Sequence, residues 1–236
     1  MKKVLTYIFA AVLMTAVIQS ASAQTEESRP VSGFNSIGSA GPFDVYVKID
    51  GTESLKISAN PEIIKEIETK VEDGRLEIKF KHHNYWNNHN YHNYGPIKIY
   101  ITAKSISGLA NAGSGTIKVD GLVSGPRVDI SIAGSGNVYC AVKSGDFHAS
   151  ISGSGSISVE GSANDAHVSI AGSGGMNGRH FKTNTANVSI AGSGNAYLAA
   201  EKNISASIIG SGNVVYSGNA TSSCSKIGSG RLTKAE

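Results

Sequence analysis

Val128-Asp-Ile-Ser-Ile-Ala-Gly-Ser-Gly-Asn-Val-Tyr-Cys140 is the stretch on which the fold turns. Apolar and polar residues alternate on both sides of its Gly-Ser-Gly, the period of a strand with one buried face. The triplet recurs, starting at Gly113, Gly134, Gly153, Gly172, Gly192, Gly210 and Gly228. The gaps of 21, 19, 19, 20, 18 and 18 residues average about 19, a period in the range of stacked repeats.

Counting from the first glycine of each triplet exposes columns. Position −2 holds Ile132, Ile151, Ile170, Ile190 and Ile208, and −4 holds Ile130, Ala149, Val168, Val188, Ala206 and Cys224. Position +4 holds Ile117, Val138, Ile157, Met176, Ala196 and Val214, and +6 includes Val119, Cys140, Val159, Leu198 and Tyr216. These four columns face inward. Between −4 and −2 stands a ladder of one residue type, Ser131, Ser150, Ser169, Ser189, Ser207 and Ser225, facing outward. Such a pattern, repeated every coil, predicts an all-β fold: a single-stranded parallel β-helix, or solenoid, of about 19 residues per coil with Gly-Ser-Gly turns. Leucine-rich repeats are excluded because the columns carry Ile, Val and Ala. Calcium-binding nonapeptide coils fail because no aspartate recurs after the glycines.

Outside the repeat, residues 31–110 are rich in strands: Phe43–Ile49, Ser54–Ser58, Glu68–Val71, Arg75–Phe80 and Ile97–Thr102. Asp50-Gly51 and Asp73-Gly74 read as turns that pair successive strands as hairpins. One short helix is expected from Pro61 to Ile67, with Asn60 as N-cap and Pro61 at the first helical position. This section is expected to cap one end of the solenoid, while Lys226, Arg231, Lys234 and Glu236 charge the last coil. The N-terminus reads as a secretory leader: Lys2 and Lys3, the apolar run Val4 to Ile18, then Ala21-Ser22-Ala23 before Gln24. The expected organisation is therefore residues 1–23 as signal peptide, 24–110 as an N-terminal β-hairpin section of the same domain, and 111–236 as parallel β-helix.

The chain has 236 residues, 40% of them hydrophobic, with 28 glycines, 5 prolines and a net charge of +3. Loss of Lys2 and Lys3 with the leader lowers that to +1, so there is no basic field for nucleic acid. No further long apolar stretch would insert the mature chain in a membrane, which places it in the periplasm, on the outer surface or outside the cell. Two cysteines exclude a disulfide scaffold. Cys140 and Cys224 lie five rungs apart, about 24 Å at the strand spacing, too far to bridge. Both are expected as buried free thiols.

Val31-Ser-Gly-Phe-Asn-Ser-Ile, Gly41-Pro-Phe-Asp-Val-Tyr-Val, Glu72-Asp-Gly-Arg-Leu-Glu-Ile and Pro96-Ile-Lys-Ile-Tyr-Ile-Thr, leading into the Gly-Ser-Gly series, resemble the putative auto-transporter adhesin head GIN domain proteins of Gram-negative bacteria. The resemblance covers essentially the whole mature chain. It implies a secreted β-helical domain with an adhesin-like role, and it carries over no catalytic or binding residue. A self-translocating auto-transporter also needs a C-terminal membrane barrel, and none is expected in the eight residues that begin at Ser229.

The densest group of metal-capable residues is His82, His83, His89 and His92, which could gather zinc, copper or nickel. Their spacing matches no established site, and a solvated hairpin tip between Arg75–Lys81 and Ile97–Thr102 accounts for them. Tyr85, Trp86, Tyr91 and Tyr94 in the same tract could stack on sugar rings or anchor a protein. A third constellation occupies position −5, where Asp129, His148 and His167 stand on consecutive rungs and could bind a metal or relay protons, or form a solvent-facing stack continued by Asn187 and Ser205. Neither a nucleophile elbow nor a phosphate loop is present, and no cofactor is expected. The leading expectation is a non-catalytic binding module for a glycan or protein surface. The alternatives are a carbohydrate-active enzyme on a β-helix and a metal-binding periplasmic protein using the His-rich tip.

Overall fold

The computed structural model describes residues 24–81 and 95–235. Residues 1–23, the tract from His82 to Tyr94 and Glu236 lie outside them. In chain order the elements are β1 (Thr25–Arg29), β2 (Ser36–Ala40), β3 (Asp44–Ile49), β4 (Ser54–Ala59), α1 (Pro61–Glu66), β5 (Ile67–Glu72), β6 (Arg75–Phe80), β7 (Lys98–Ala103) and β8 (Gly108–Gly113). The coils follow as β9 (Thr116–Gly134), β10 (Asn137–Gly153), β11 (Ser156–Gly172), β12 (Gly175–Gly192) and β13 (Asn195–Gly210), and the chain closes with β14 (Asn213–Ser217), β15 (Thr221–Gly228) and β16 (Arg231–Lys234).

Every coil from β9 onward pairs in parallel with the next, in the expected register. Ser131, Ser150, Ser169, Ser189, Ser207 and Ser225 are successive partners, all exposed. Columns −2 and +4 are buried from Ile132 to Ile208 and from Ile117 to Val214. Another inward column, at −6, was not among those four: Val128, Phe147, Ala166, Ala186 and Ile204 are all buried. Phe147 of this column meets Phe181 of the next-but-one coil with ring centroids 4.7 Å apart. Coils of unequal length stay in phase because the excess is absorbed in bulges, chiefly between Asn177 and Thr185 of β12.

The triplet glycines answer two demands at once. Gly153 has φ +121°, and a Cβ there would lie 2.5 Å from the carbonyl oxygen of Gly134 on the neighbouring rung. A Cβ on Gly155 would meet the Gly136 carbonyl and lie 2.6 Å from Ile132 Cγ2. Close stacking lets the corner amides of Ser154 and Gly155 donate to Gly134 O at 2.9 and 3.0 Å, so the bends leave these N–H groups satisfied.

The N-terminal section departs from the hairpin expectation. Asp73-Gly74 does join an antiparallel pair, β5 and β6, but Asp50-Gly51 does not: β3 and β4 are separated by β7, which pairs with both. Burial explains the change. The inward row Val45, Val47 of β3 is matched on one side by Ile99, Ile101 of β7 and on the other by Ile117, Val119 of β9, all in parallel. Likewise β2 lies between β6 and β8, parallel to each. The pairs β6–β7 and β2–β3 are thus two further rungs, built without the triplet. Beyond them β1, β4 and β5 add antiparallel edges. α1 follows its caps: Asn60 Oδ1 accepts from Glu62 N at 2.9 Å, and Ile67, already extended, ends the helix one residue short of expectation.

Two sheet faces result. Strands before the triplet corners form the upstream face, β5-β6-β2-β8 continuing through the second halves of β9–β13 to β15. Strands after the corners form the downstream face, β1-β4-β7-β3 continuing through the first halves of β9–β13 to β14 and β16.

Candidate functional site

Alternation fixes which side chains the downstream face presents to solvent. With Val45, Val47, Ile99, Ile101, Ile117 and Val138 turned inward, the residues between them must point out. Register then lines up Lys56, Tyr100, Tyr46, Lys118, Tyr139, Ser158, Asn177 and Tyr197 as one outward column running along the solenoid. From Tyr100 to Asn177 it crosses five rung spacings, about 24 Å. Tyr46 and Tyr100 stack with centroids 5.4 Å apart and planes 18° from parallel. Cations sit against the rings: Lys56 Nζ is 5.4 Å from the Tyr100 centroid, Lys118 Nζ 5.8 Å from that of Tyr139, and the Arg179 guanidinium 4.2 Å from that of Tyr197. Tyr100 and Tyr139 remain 38% and 42% exposed, which leaves aromatic surface open to a partner.

Two open depressions follow this column and meet at Lys118. One, of about 1310 Å³, is bordered by Tyr46, Lys56, Tyr100 and Lys118 and by the crossing segment from Ser28 to Ser32. The other, of about 590 Å³, runs past Tyr139, Ser158 and Asn177 to Arg179 and His180. The crossing segment is held by Arg29, whose guanidinium donates to Ile67 O at 2.6 Å and Ile64 O at 2.8 Å. Glu53 accepts from Gly33 N at 2.9 Å and pairs with Lys104 at 2.8 Å, and these bonds, Lys104 foremost, hold its carboxyl below the usual range.

The upstream face is flatter. Asp129, His148 and His167 are successive partners there, as their spacing predicted. The two imidazoles stack at 4.6 Å with planes 21° apart. Asp129, however, turns to Arg127, accepting from Nη2 at 2.7 Å and from Nε at 2.9 Å. That bond and its charge hold the carboxyl below its ordinary value. Among the described residues no three His, Cys, Asp or Glu side chains converge as a metal would require. A shallow depression of about 440 Å³ lies over these residues and the serine ladder. His82, His83, His89 and His92, and Tyr85, Trp86, Tyr91 and Tyr94, lie outside the described residues.

Cys140 and Cys224 are both free. Cys140 is buried, and burial pushes its thiol up to about 12. Cys224 corrects the expectation: it is exposed, because among the described residues no further rung stacks on β15.

Sequence reasoning passed over the tyrosine column. The signal was present, since Tyr139 and Tyr197 both stand at +5 from a triplet, and Tyr46 and Tyr100 stand at +5 from Gly41 and Gly95.

A family model described as putative auto-transporter adhesin, head GIN domain, matches residues 33–220. The chain belongs to this family. Solved structures share the fold of this GIN domain. A putative adhesin from Bacteroides fragilis NCTC 9343 is 23% identical with a TM-score of 0.80, over 90% of this chain and 97% of that one. A putative lipid binding protein from Parabacteroides distasonis ATCC 8503 is 24% identical with a TM-score of 0.73, over 92% and 98%. A putative adhesin from that same strain is 21% identical with a TM-score of 0.69, over 90% and 97%. No curated protein matches the GIN domain chain. Among its described residues no helix is long and apolar enough to cross a membrane.

Proposed function

We propose that the chain, exported by its leader at residues 1–23, is a non-catalytic surface or periplasmic binding module that receives a linear glycan along the downstream face. One observation carries this reading: four tyrosines share a single outward column with Lys56, Lys118 and Arg179 beside them. Sugar rings present apolar C–H faces that stack on tyrosine, and their hydroxyls accept from cations and pair with the Ser158 and Asn177 side chains between. The adhesin descriptions of the family and of structural neighbours agree with a binding role. Tyr85, Trp86, Tyr91 and Tyr94, in the tract that joins β6 to β7 in sequence, are proposed as further stacking residues.

Calorimetric titration with a panel of linear polysaccharides tests this. Tyr100→Ala with Tyr139→Ala is expected to weaken binding at least about tenfold, the scale of losing one to two aromatic contacts, with the melting temperature kept. Binding untouched by that pair overturns the site. Anionic and neutral vesicles and a surface-protein extract are the comparison ligands, the vesicles included because one structural neighbour is described as a putative lipid binding protein. Release of reducing ends from any polysaccharide would instead favour a carbohydrate-active enzyme, and zinc or copper binding at the His-rich tract a metal-binding role.

A further inference from the structure

Building on the downstream face as a glycan site, we propose that its ligand is a straight, neutral polysaccharide ribbon of the cellulose or mannan kind, lying along the solenoid with one sugar ring to each rung. Spacing points to it first. Unshifted register carries Tyr46, Lys118, Tyr139, Ser158 and Asn177 in line across β3 and β9 to β12, at about 4.8 Å per step. A pyranose ring linked through equatorial bonds at its opposite ends advances by nearly that step, so sugars and rungs stay in phase along the column. A chain that coils, as axially linked glucans do, curves away from so straight a row.

The tyrosines add a second match. In an extended ribbon each sugar is turned over relative to the one before, so the same ring face returns at every second sugar. Tyr46 and Tyr139 stand two rungs apart with Lys118 between them, about 10 Å, and so meet like faces of alternate sugars. Tyr100, stacked on Tyr46 with centroids 5.4 Å apart, widens that platform.

The margins of the column select a ribbon that lies flat and carries no charge. Rings seated on tyrosine direct their equatorial hydroxyls sideways, toward the flanking rows. Alternation turns Thr116, Asn137 and Ser156 outward on one side of the column, and Asp120 and Glu160 outward on the other. Each carries a hydrogen-bonding oxygen. Asp120 and Glu160 are exposed and in no ion pair among the described residues. Such carboxylates accept from sugar hydroxyls in charge-assisted hydrogen bonds and repel a uronate or sulfate in the same place. The cations Lys118 and Arg179 are turned onto the Tyr139 and Tyr197 rings, which leaves the carboxylates to set the charge of that edge.

Calorimetry with cello-, manno-, malto- and laminari-oligosaccharides of increasing length, and with polygalacturonate, tests the ribbon. Cello- or manno-oligosaccharides are expected to bind, with affinity rising until the chain spans the column, about five rungs. Malto-oligosaccharides of equal length should bind at least about tenfold more weakly, the scale of one lost aromatic contact. Asp120→Asn with Glu160→Gln should weaken the ribbon several-fold and strengthen polygalacturonate, with the melting temperature unchanged. Malto- or laminari-oligosaccharides bound as tightly as the ribbon, or polygalacturonate bound more tightly, each in a manner lost with Tyr139→Ala, would overturn the ribbon and leave the glycan site standing. A plateau already reached at a disaccharide, or ribbon affinity untouched by the carboxylate pair, would overturn it too. No saccharide bound through Tyr139 overturns both the ribbon and the site.

Discussion

The coils from Gly113 onward and the rungs before them reach the same cross-section by different routes. In the coils, neighbours in sequence are neighbours in space: β10 pairs with β9 and β11, and each residue meets one about 19 positions away. In the N-terminal section, β3 lies between β7 and β9, and β2 between β6 and β8. The rung made first in sequence is thus clamped between two made later. A repeat advertises only the first kind of stacking. The second kind rests on inward rows such as Val45, Ile99 and Ile117, chosen for burial and parallel register with no common spacing.

The sharpest test of the coil register has the largest expected effect. Ile170→Asp places an unpaired carboxylate in the −2 column, 1% exposed, at a penalty of several kcal/mol, so it should unfold or aggregate the protein. Ser169→Asp, one residue away on the exposed ladder, should change stability by less than about 0.5 kcal/mol. Thermal denaturation of the pair decides it, and similar behaviour would break the register.

Glycine separates the two regions next. Gly153→Ala adds a methyl group 2.5 Å from a neighbouring backbone oxygen at φ +121°, whereas Gly51 in the N-terminal section has φ +89° with open space where its Cβ would lie. Gly51→Ala should lose about 1–2 kcal/mol, the backbone term alone. Gly153→Ala should lose more than that, because the rungs must part as well. Equal midpoints in urea would show that the coil corners tolerate separation.

Arg29→Ala probes the N-terminal end alone. It leaves the Ile64 and Ile67 carbonyls without their guanidinium donor, a loss of about 1–3 kcal/mol. Hydrogen exchange should accelerate in α1 and β5 and stay unchanged in β11 to β13.

Glu53 gives a smaller, pH-dependent effect. Its folded pKa is depressed by Lys104 and by the amides of Gly33 and Phe34, so it contributes stability above its unfolded value, near 4.5, that is lost as pH falls through the lower folded value. Glu53→Gln should therefore lower the melting temperature at pH 7 and shrink the difference from wild type in acid below about pH 4. A difference constant with pH would remove Glu53 from the ion pair. Labelling with a thiol reagent should change no stability at all: Cys224 should react in the native state and Cys140 only after unfolding, in line with their opposite burial.

Much of this was legible beforehand. The helix start at Asn60 and Pro61, the Asp73-Gly74 hairpin, the serine ladder and the pairing of His148 with His167 all follow from local chemistry or from the period. The Asp50-Gly51 hairpin was misread because turn residues specify a reversal and do not specify which strand fills the adjacent place. Cys224 was misread because column membership gives direction, while burial also needs a rung above. The tyrosine column stayed hidden since Tyr46 and Tyr100 are counted from lone glycines outside the triplet series.

By itself, then, the sequence determined the coil: its length, its inward and outward rows and the glycines of its corners. Parallel stacking at a fixed period places each residue beside its own counterpart, so one repeat contains the cross-section of all. Tertiary structure alone decided the order of the first rungs, the two unlike ends and the rungs that bring Tyr46 and Tyr100 into line with Lys118 and Tyr139. Those depend on pairings such as Val45 with Ile99 and Ile117, which a 19-residue period does not reach. They are selected by the burial and backbone hydrogen bonding that a long, non-local pairing gains once its neighbours are in place.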